Sequence, residues 1–367
     1  MAVLSKIDMM EATRLTREGR LDEAMGVLQK ALGTPPMGGS TMEGGSPFPK
    51  TVHTLLDRLG QGGGLSETLR RPAVRDQPVP EGARFEERTY ADVAGSRTYK
   101  LYVPSGYLGE AVPLVVMLHG CTQSPDDFAV GTGMNDLAEE HTVLVAYPAQ
   151  APSANASKCW NWFKAGDQKR DRGEPSLIAG MTREVMRDFA VDSERVYVAG
   201  LSAGGAFAAV MGATYPDLYA AIGVHSGLAC GAARDMPSAF EAMRQGGSAT
   251  ARKTDWSGGF TAPVPTIVFH GDRDTTVNPL NGDQVIAQSK AAAALNMEVH
   301  RGVSPGGIAY TRSVQSDETG HPVLEQWVLH GMGHAWSGGS PAGSYTEPRG
   351  PDASREIMRF FLQHPRT

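Results

Sequence analysis

The chain is 367 residues long, more than one small domain needs, and 41% of it is apolar, enough for a sizeable core. A net charge of −6 with no Lys/Arg cluster offers nothing to neutralise a phosphate backbone, which argues against a nucleic-acid partner. No segment approaches the roughly 20 apolar residues that a membrane helix requires, so no membrane partner is expected; Val112–Leu118 is among the longest such runs and reads as a buried strand.

The N-terminus, MAVLSKIDMMEATRL, lacks a basic stretch followed by an unbroken apolar run, so no secretory signal is read and a cytoplasmic location is expected. Residues Asp8–Leu32 have helical spacing, with Leu21, Ala24, Met25, Leu28, Ala31 and Leu32 on one face that must bury against something. Gly19 breaks the stretch, so residues 1–32 are expected to form a helical hairpin suited to docking or homo-oligomerisation. Residues 33–84 contain GTPPMGGSTMEGGSPFPK and LGQGGG, the composition of a poorly ordered linker. A larger folded domain is expected over 85–367.

From Phe85 onward the pattern is strand, turn, helix, repeated. SRTYKLYVP alternates like a strand, whereas PLVVMLHG and TVLVAYP are continuous apolar runs, followed by RVYVAG, AAIGVHSG, PTIVFHG and EQWVLHG. Runs this apolar, separated by helices, predict an α/β domain whose doubly wound, mostly parallel sheet is covered on both faces. In such sheets the chemistry collects in loops at the carboxyl ends of the strands.

One of those ends carries Gly200-Leu201-Ser202-Ala203-Gly204, between the strand RVYVA and the helical stretch AGGAFAAVMGATY. A serine on so tight a strand-to-helix turn projects its hydroxyl above the sheet, and the turn demands glycine two residues to either side. It also puts the Ala203 N–H at a helix N-terminus, where it can donate to an oxyanion. A serine hydroxyl needs a base. Of ten histidines, His334 in the late loop GMGHAWSGG is best placed, while His330 in the preceding strand reads as structural. The orienting acid should follow the strand PTIVFHG. Asp274 lies further into that loop than Asp272, which reads as a turn cap or a partner of Arg273. The second oxyanion amide should follow PLVVMLHG, from Cys121 or else Thr122. Gln123 in that loop, Trp160 and Trp162 in CWNWF, and Trp336 beside the base are candidate substrate contacts, the paired tryptophans equally readable as core. No metal-binding or P-loop motif is present. Three cysteines, Cys121, Cys159 and Cys230, are no disulfide framework, and both a single bridge and small buried residues stay open.

LHGCTQSPDDF, the run from Tyr147-Pro148 through CWNWF, DQKRDRGEPSLIAGM, RVYVAGLSAGGA, HGDRDTTV and GMGHAWSGG resemble the esterase family of polyhydroxybutyrate (PHB) depolymerases over roughly Tyr90 to Phe361. The resemblance implies an α/β-hydrolase fold without a large lid, no cofactor, and hydrolysis of 3-hydroxybutyrate oligomers or other short-chain esters. It places the nucleophile on Ser202, the acid on Asp274, the base on His334 and the oxyanion position on Cys121, and it makes a Cys121–Cys159 bridge plausible. No polymer-binding domain is read after the catalytic one, so oligomers or small esters are expected ahead of crystalline polymer. Family relatives acting on feruloyl and acetyl esters of plant polysaccharides are the alternative. A serine peptidase, and an inert hydrolase-fold scaffold, are the remaining rivals.

Overall fold

In a computed structural model of the protein, residues 79–247, 264–290 and 295–366 are described. The hairpin expected over 1–32, and the linker as far as residue 78, lie outside them. Along the chain come β1 (Arg84–Asp92), β2 (Gly95–Val103), β3 (Val112–Leu118), α1 (Pro125–Thr132), α2 (Met134–His141) and β4 (Leu144–Pro148). After a short 3-10 turn follow α3 (Gly173–Asp188), β5 (Val191–Leu201), α4 (Ala203–Thr214), β6 (Ala221–His225), α5 (Met236–Gln245) and β7 (Thr266–Gly271). The last part holds α6 (Leu280–Ser289), β8 (Asn296–Val303), β9 (Ala309–Ser316), β10 (Pro322–Leu329), the two-residue strands β11 (Trp336–Ser337) and β12 (Thr346–Glu347), and α7 (Ala353–Leu362).

Ten strands form one sheet in the order β1-β2-β4-β3-β5-β6-β7-β10-β9-β8. The six from β4 to β10 run parallel, with antiparallel β1-β2 and β9-β8 hairpins at the two edges. β3 shows why its sequence is continuously apolar. Leu114, Val116 and Leu118 point into a core shared with α3 and α4. Val115 and Met117 point into the opposite core, shared with α1, α2 and α7. Both faces are covered, as in a doubly wound sheet. α4 is buried along nearly its whole length, and its small residues let it lie close on the strands.

The parallel strands are those read from the sequence, whereas β1, β8 and β9 were not. β8 is exposed along almost its whole length, so burial imposes no apolar alternation on it. No helix among the described residues is long and apolar enough to cross a membrane.

Candidate active site

Ser202 stands between β5 and α4 with φ 57° and ψ −118°, a conformation costing on the order of 1–3 kcal/mol for a residue with a Cβ. The surroundings enforce it. The Ser202 N–H donates to His225 O at the end of β6, 2.9 Å away. A Cβ on Gly200 would meet Leu118 O at 2.6 Å, and one on Gly204 would run into the same carbonyl and into His119 O at 2.7 Å. Only glycines let the elbow press against the end of β3. The Ser202 hydroxyl makes no capping bond to α4.

Two strands further along, the loop after β7 holds Asp274 with its carboxylate buried. Asp274 Oδ1 accepts the N–H groups of Thr276 (2.9 Å) and Val277 (2.8 Å), and Oδ2 accepts His334 Nδ1–H at 2.6 Å. A second imidazole reaches the same oxygen, with His270 Nε2 at 3.4 Å from Oδ2 and 2.9 Å from Val277 O. Because Val277 O can only accept, this nitrogen carries the proton. Burial alone would raise the pKa of Asp274, but hydrogen bonds from His270, His334 and the Val277 amide outweigh it and hold the carboxyl well below the usual range. With Nδ1 engaged by the carboxylate, His334 keeps Nε2 for a proton from elsewhere. Asp272 accepts Gly331 N–H (2.8 Å) and His330 Nδ1–H (2.9 Å), so it ties the β7 turn to the β10 turn instead of pairing with Arg273. β5, β6, β7 and β10 are successive neighbours, so Ser202, Asp274 and His334 all follow carboxyl ends on one edge of the sheet.

The loop after β3 abuts Ser202, since a Cβ on Gly120 would lie 3.6 Å from Ser202 Cβ. Its orientation is set by His119. Gln150 N–H donates to His119 Nε2 at 3.1 Å, which forces the ring proton onto Nδ1, and Nδ1–H donates to Gly120 O at 2.7 Å. Burial pushes the His119 pKa down to about 4, so the ring is neutral and the tautomer fixed. Gly120 O also accepts Gln123 N–H at 3.3 Å. Carbonyl and N–H of a trans peptide point opposite ways, so pinning this carbonyl turns the Cys121 N–H to the other side. Neither Cys121 N–H nor Ala203 N–H donates to any described backbone carbonyl outside regular elements, whereas Thr122 N–H is spent on Ser157 O at 2.7 Å. Cys121 is disulfide-bonded to Cys159, 38 residues on, while Cys230 is a free, buried thiol.

The four side chains expected to touch substrate are buried instead. Trp160 stacks on Phe207 and donates Nε1–H to His119 O at 3.1 Å. Trp162 packs edge-on against Phe163. Trp336 stacks on His225 and donates to Ser354 Oγ at 3.0 Å. Gln123 Oε1 accepts Gly120 N–H at 2.9 Å, and Nε2 donates to Asp127 Oδ2 and Ser344 O at 3.0 and 3.2 Å. Each aromatic ring packs on core neighbours, and the polar ends of Trp160, Trp336 and Gln123 are held by fixed partners. They support the site from behind and form no wall of it. Four residues that the sequence reading did not single out complete this support. His225 Nε2 accepts Ser337 N–H at 3.0 Å, Asp127 Oδ1 accepts Ser344 N–H at 2.9 Å, and Glu174 accepts Asn161 N–H at 2.8 Å beside the disulfide. The fourth is His270. Their only sequence signal is a polar residue at a strand or helix end.

Over 241 residues the chain is 35% identical to poly(3-hydroxyalkanoate) depolymerase C of Paucimonas lemoignei, a match covering 64% of this chain and 57% of that one. The chain thus spans a little over half the length of that relative. A probable acetylxylan esterase A of Aspergillus clavatus is 28% identical over 249 residues, covering 64% of this chain and 78% of that one. The solved acetyl xylan esterase of Aspergillus awamori superposes with a TM-score of 0.58 at 20% identity, covering 76% of this chain and 99% of that one, a likeness of fold. The family described as esterase PHB depolymerase matches residues 97–298, over half of the chain. On that match, and on an α/β-hydrolase fold with its serine elbow between β5 and α4, the chain belongs to the PHB depolymerase family of esterases.

Proposed function

We propose that this protein is a serine esterase acting on 3-hydroxyalkanoate oligomers and other short-chain esters. One observation carries the reading: Asp274 holds His334 by Nδ1, on the edge of the sheet where Ser202 stands on its strained turn. Ser202 Oγ attacks the ester carbonyl as His334 Nε2 takes its proton, and the Cys121 and Ala203 amides receive the oxyanion. His334 then protonates the leaving alcohol. Water, deprotonated by the same nitrogen, attacks the acyl-enzyme and releases the acid with Ser202 restored. Asp274, kept ionised, stabilises the imidazolium in both steps.

The relatives named as a probable acetylxylan esterase and as a feruloyl esterase favour a second reading, acetyl or feruloyl esters on polysaccharides. Initial rates on p-nitrophenyl acetate, a soluble 3-hydroxybutyrate trimer, an acetylated xylo-oligosaccharide and methyl ferulate, with Ser202→Ala as control, decide between them. Preference for the trimer supports the first reading and preference for the sugar or ferulate ester the second. Hydrolysis that survives in a clean Ser202→Ala preparation removes both. The Cys121–Cys159 bond favours an oxidising compartment over the cytoplasm expected from the sequence. Residues 1–32 are proposed to join copies of the chain, which a change of mass in solution on deleting residues 1–78 would test.

A further inference from the structure

Tyr345 connects the two sides of the site. Its carbonyl accepts the N–H of Trp336, two residues past His334, at 2.7 Å. Its hydroxyl lies 3.1 Å from Thr122 Oγ1, one residue past the Cys121 amide. The side chain therefore runs from the loop of the base to the loop of the oxyanion donor. Both residues occupy the left-handed region, Tyr345 at φ 54° and Thr122 at φ 67°. Such backbone costs a bulky or branched residue on the order of 1–3 kcal/mol, and it persists only where neighbours over-determine it. Here Ser344 does so, through Asp127 Oδ1 and Gln123 Nε2. The strain holds a large ring out in the open. Tyr345 is 48% exposed, the one exposed tyrosine or tryptophan among the described residues, while Trp160 and Trp336 are inside.

We propose, on the esterase reading above, that Tyr345 and Thr122 form a subsite for the group next to the scissile ester, and that this group is the neighbouring ester unit of a hydroxyacyl oligomer. Two hydroxyls bring two protons. One closes the bond between them and the other is left to donate outward, to a carbonyl oxygen. The ring face covers the short alkyl part of the same unit. A carbonyl with a short alkyl arm is the repeat of a hydroxyalkanoate chain, and p-nitrophenyl acetate lacks it.

The test compares kcat and KM on the soluble 3-hydroxybutyrate trimer and on p-nitrophenyl acetate for the full chain. Tyr345→Phe is expected to lower kcat/KM on the trimer about tenfold, chiefly through KM, the value of one hydrogen bond, and to leave p-nitrophenyl acetate within about twofold. Tyr345→Gly is expected to lose the trimer preference while the melting temperature holds or rises, since glycine adopts this φ freely. A trimer-to-acetate ratio unchanged in both variants overturns the subsite, and so does a wild-type enzyme that cleaves the acetate but not the trimer. Ser202→Ala run alongside separates the two readings. An unchanged ratio in an enzyme that still depends on Ser202 removes the subsite alone, whereas turnover surviving Ser202→Ala removes the esterase reading and the subsite with it.

Discussion

Asp274 receives four hydrogen-bonding groups, two amides and two imidazoles, and only one of these partners, His334, is the proposed base. Replacing it with Asn should lower kcat roughly 10⁴-fold with little change in KM, because the imidazole loses its tautomer partner and its counter-charge. His270→Phe should act more weakly. It leaves the His334 bond in place and removes one donor from Oδ2, so the acid limb of the pH–rate profile should move, and an unchanged profile would make His270 purely structural. Ser202 was legible in the sequence because its glycines are irreplaceable, and Asp274 because loop position separates it from Asp272. His119, His225 and His270 were not. Their roles depend on which ring nitrogen meets a backbone group of another strand, and no spacing in the chain records that.

Among the elements, the loop after β3 depends most on distant support. The Cys121–Cys159 bridge closes 38 residues of chain beside it, and chain entropy alone gives such a crosslink about 3–4 kcal/mol. The Cys121→Ser, Cys159→Ser double variant should therefore melt lower. It should also lose kcat, as the Cys121 amide is no longer held, although the donor itself is backbone. Equal kcat in the reduced and oxidised enzyme would argue that His119 and Gln123 suffice. At the other end of the sheet, Glu325 is fully buried and accepts from Arg312, Arg359 and the Trp327 indole at 2.6–2.9 Å. It binds β9, β10 and α7 together. Glu325→Gln leaves two guanidiniums facing a neutral group, and a loss of about 2–4 kcal/mol in denaturant midpoints is expected. The six parallel strands were legible because burial on both faces keeps them apolar. β8 and β9 escaped because exposure and an edge position place no such demand on their sequence.

At the scale of the whole molecule, the buried neutral histidines tie stability to pH. Burial depresses His119 to about 4 and His225 well below its ordinary value. An unfolded histidine titrates near 6.5, so between these values the unfolded chain binds protons that the folded one refuses. Stability is full above about pH 6.5 and falls as pH drops toward 4, by up to about 3 kcal/mol for His119 alone. The depressed Asp274 adds a further loss only below the unfolded carboxyl range, near 3.9. Melting temperatures from pH 8 to 4 should therefore decline in acid for the wild type and less steeply for His119→Asn. Parallel curves would remove His119 from the account.

Gln123 and Asp127, which hold the oxyanion loop, take their partner from Ser344, 221 and 217 residues away, and Ser354 bonds Thr132 O across 222. A ribosome completes the serine elbow at Gly204, yet the far half of its cradle, from Ser344 onward, emerges only much later. A polypeptide released before Ser344 thus bears the nucleophile without the means to steady an oxyanion. Chains shortened before Ser344 should therefore resist labelling by a fluorophosphonate that tags the 367-residue chain.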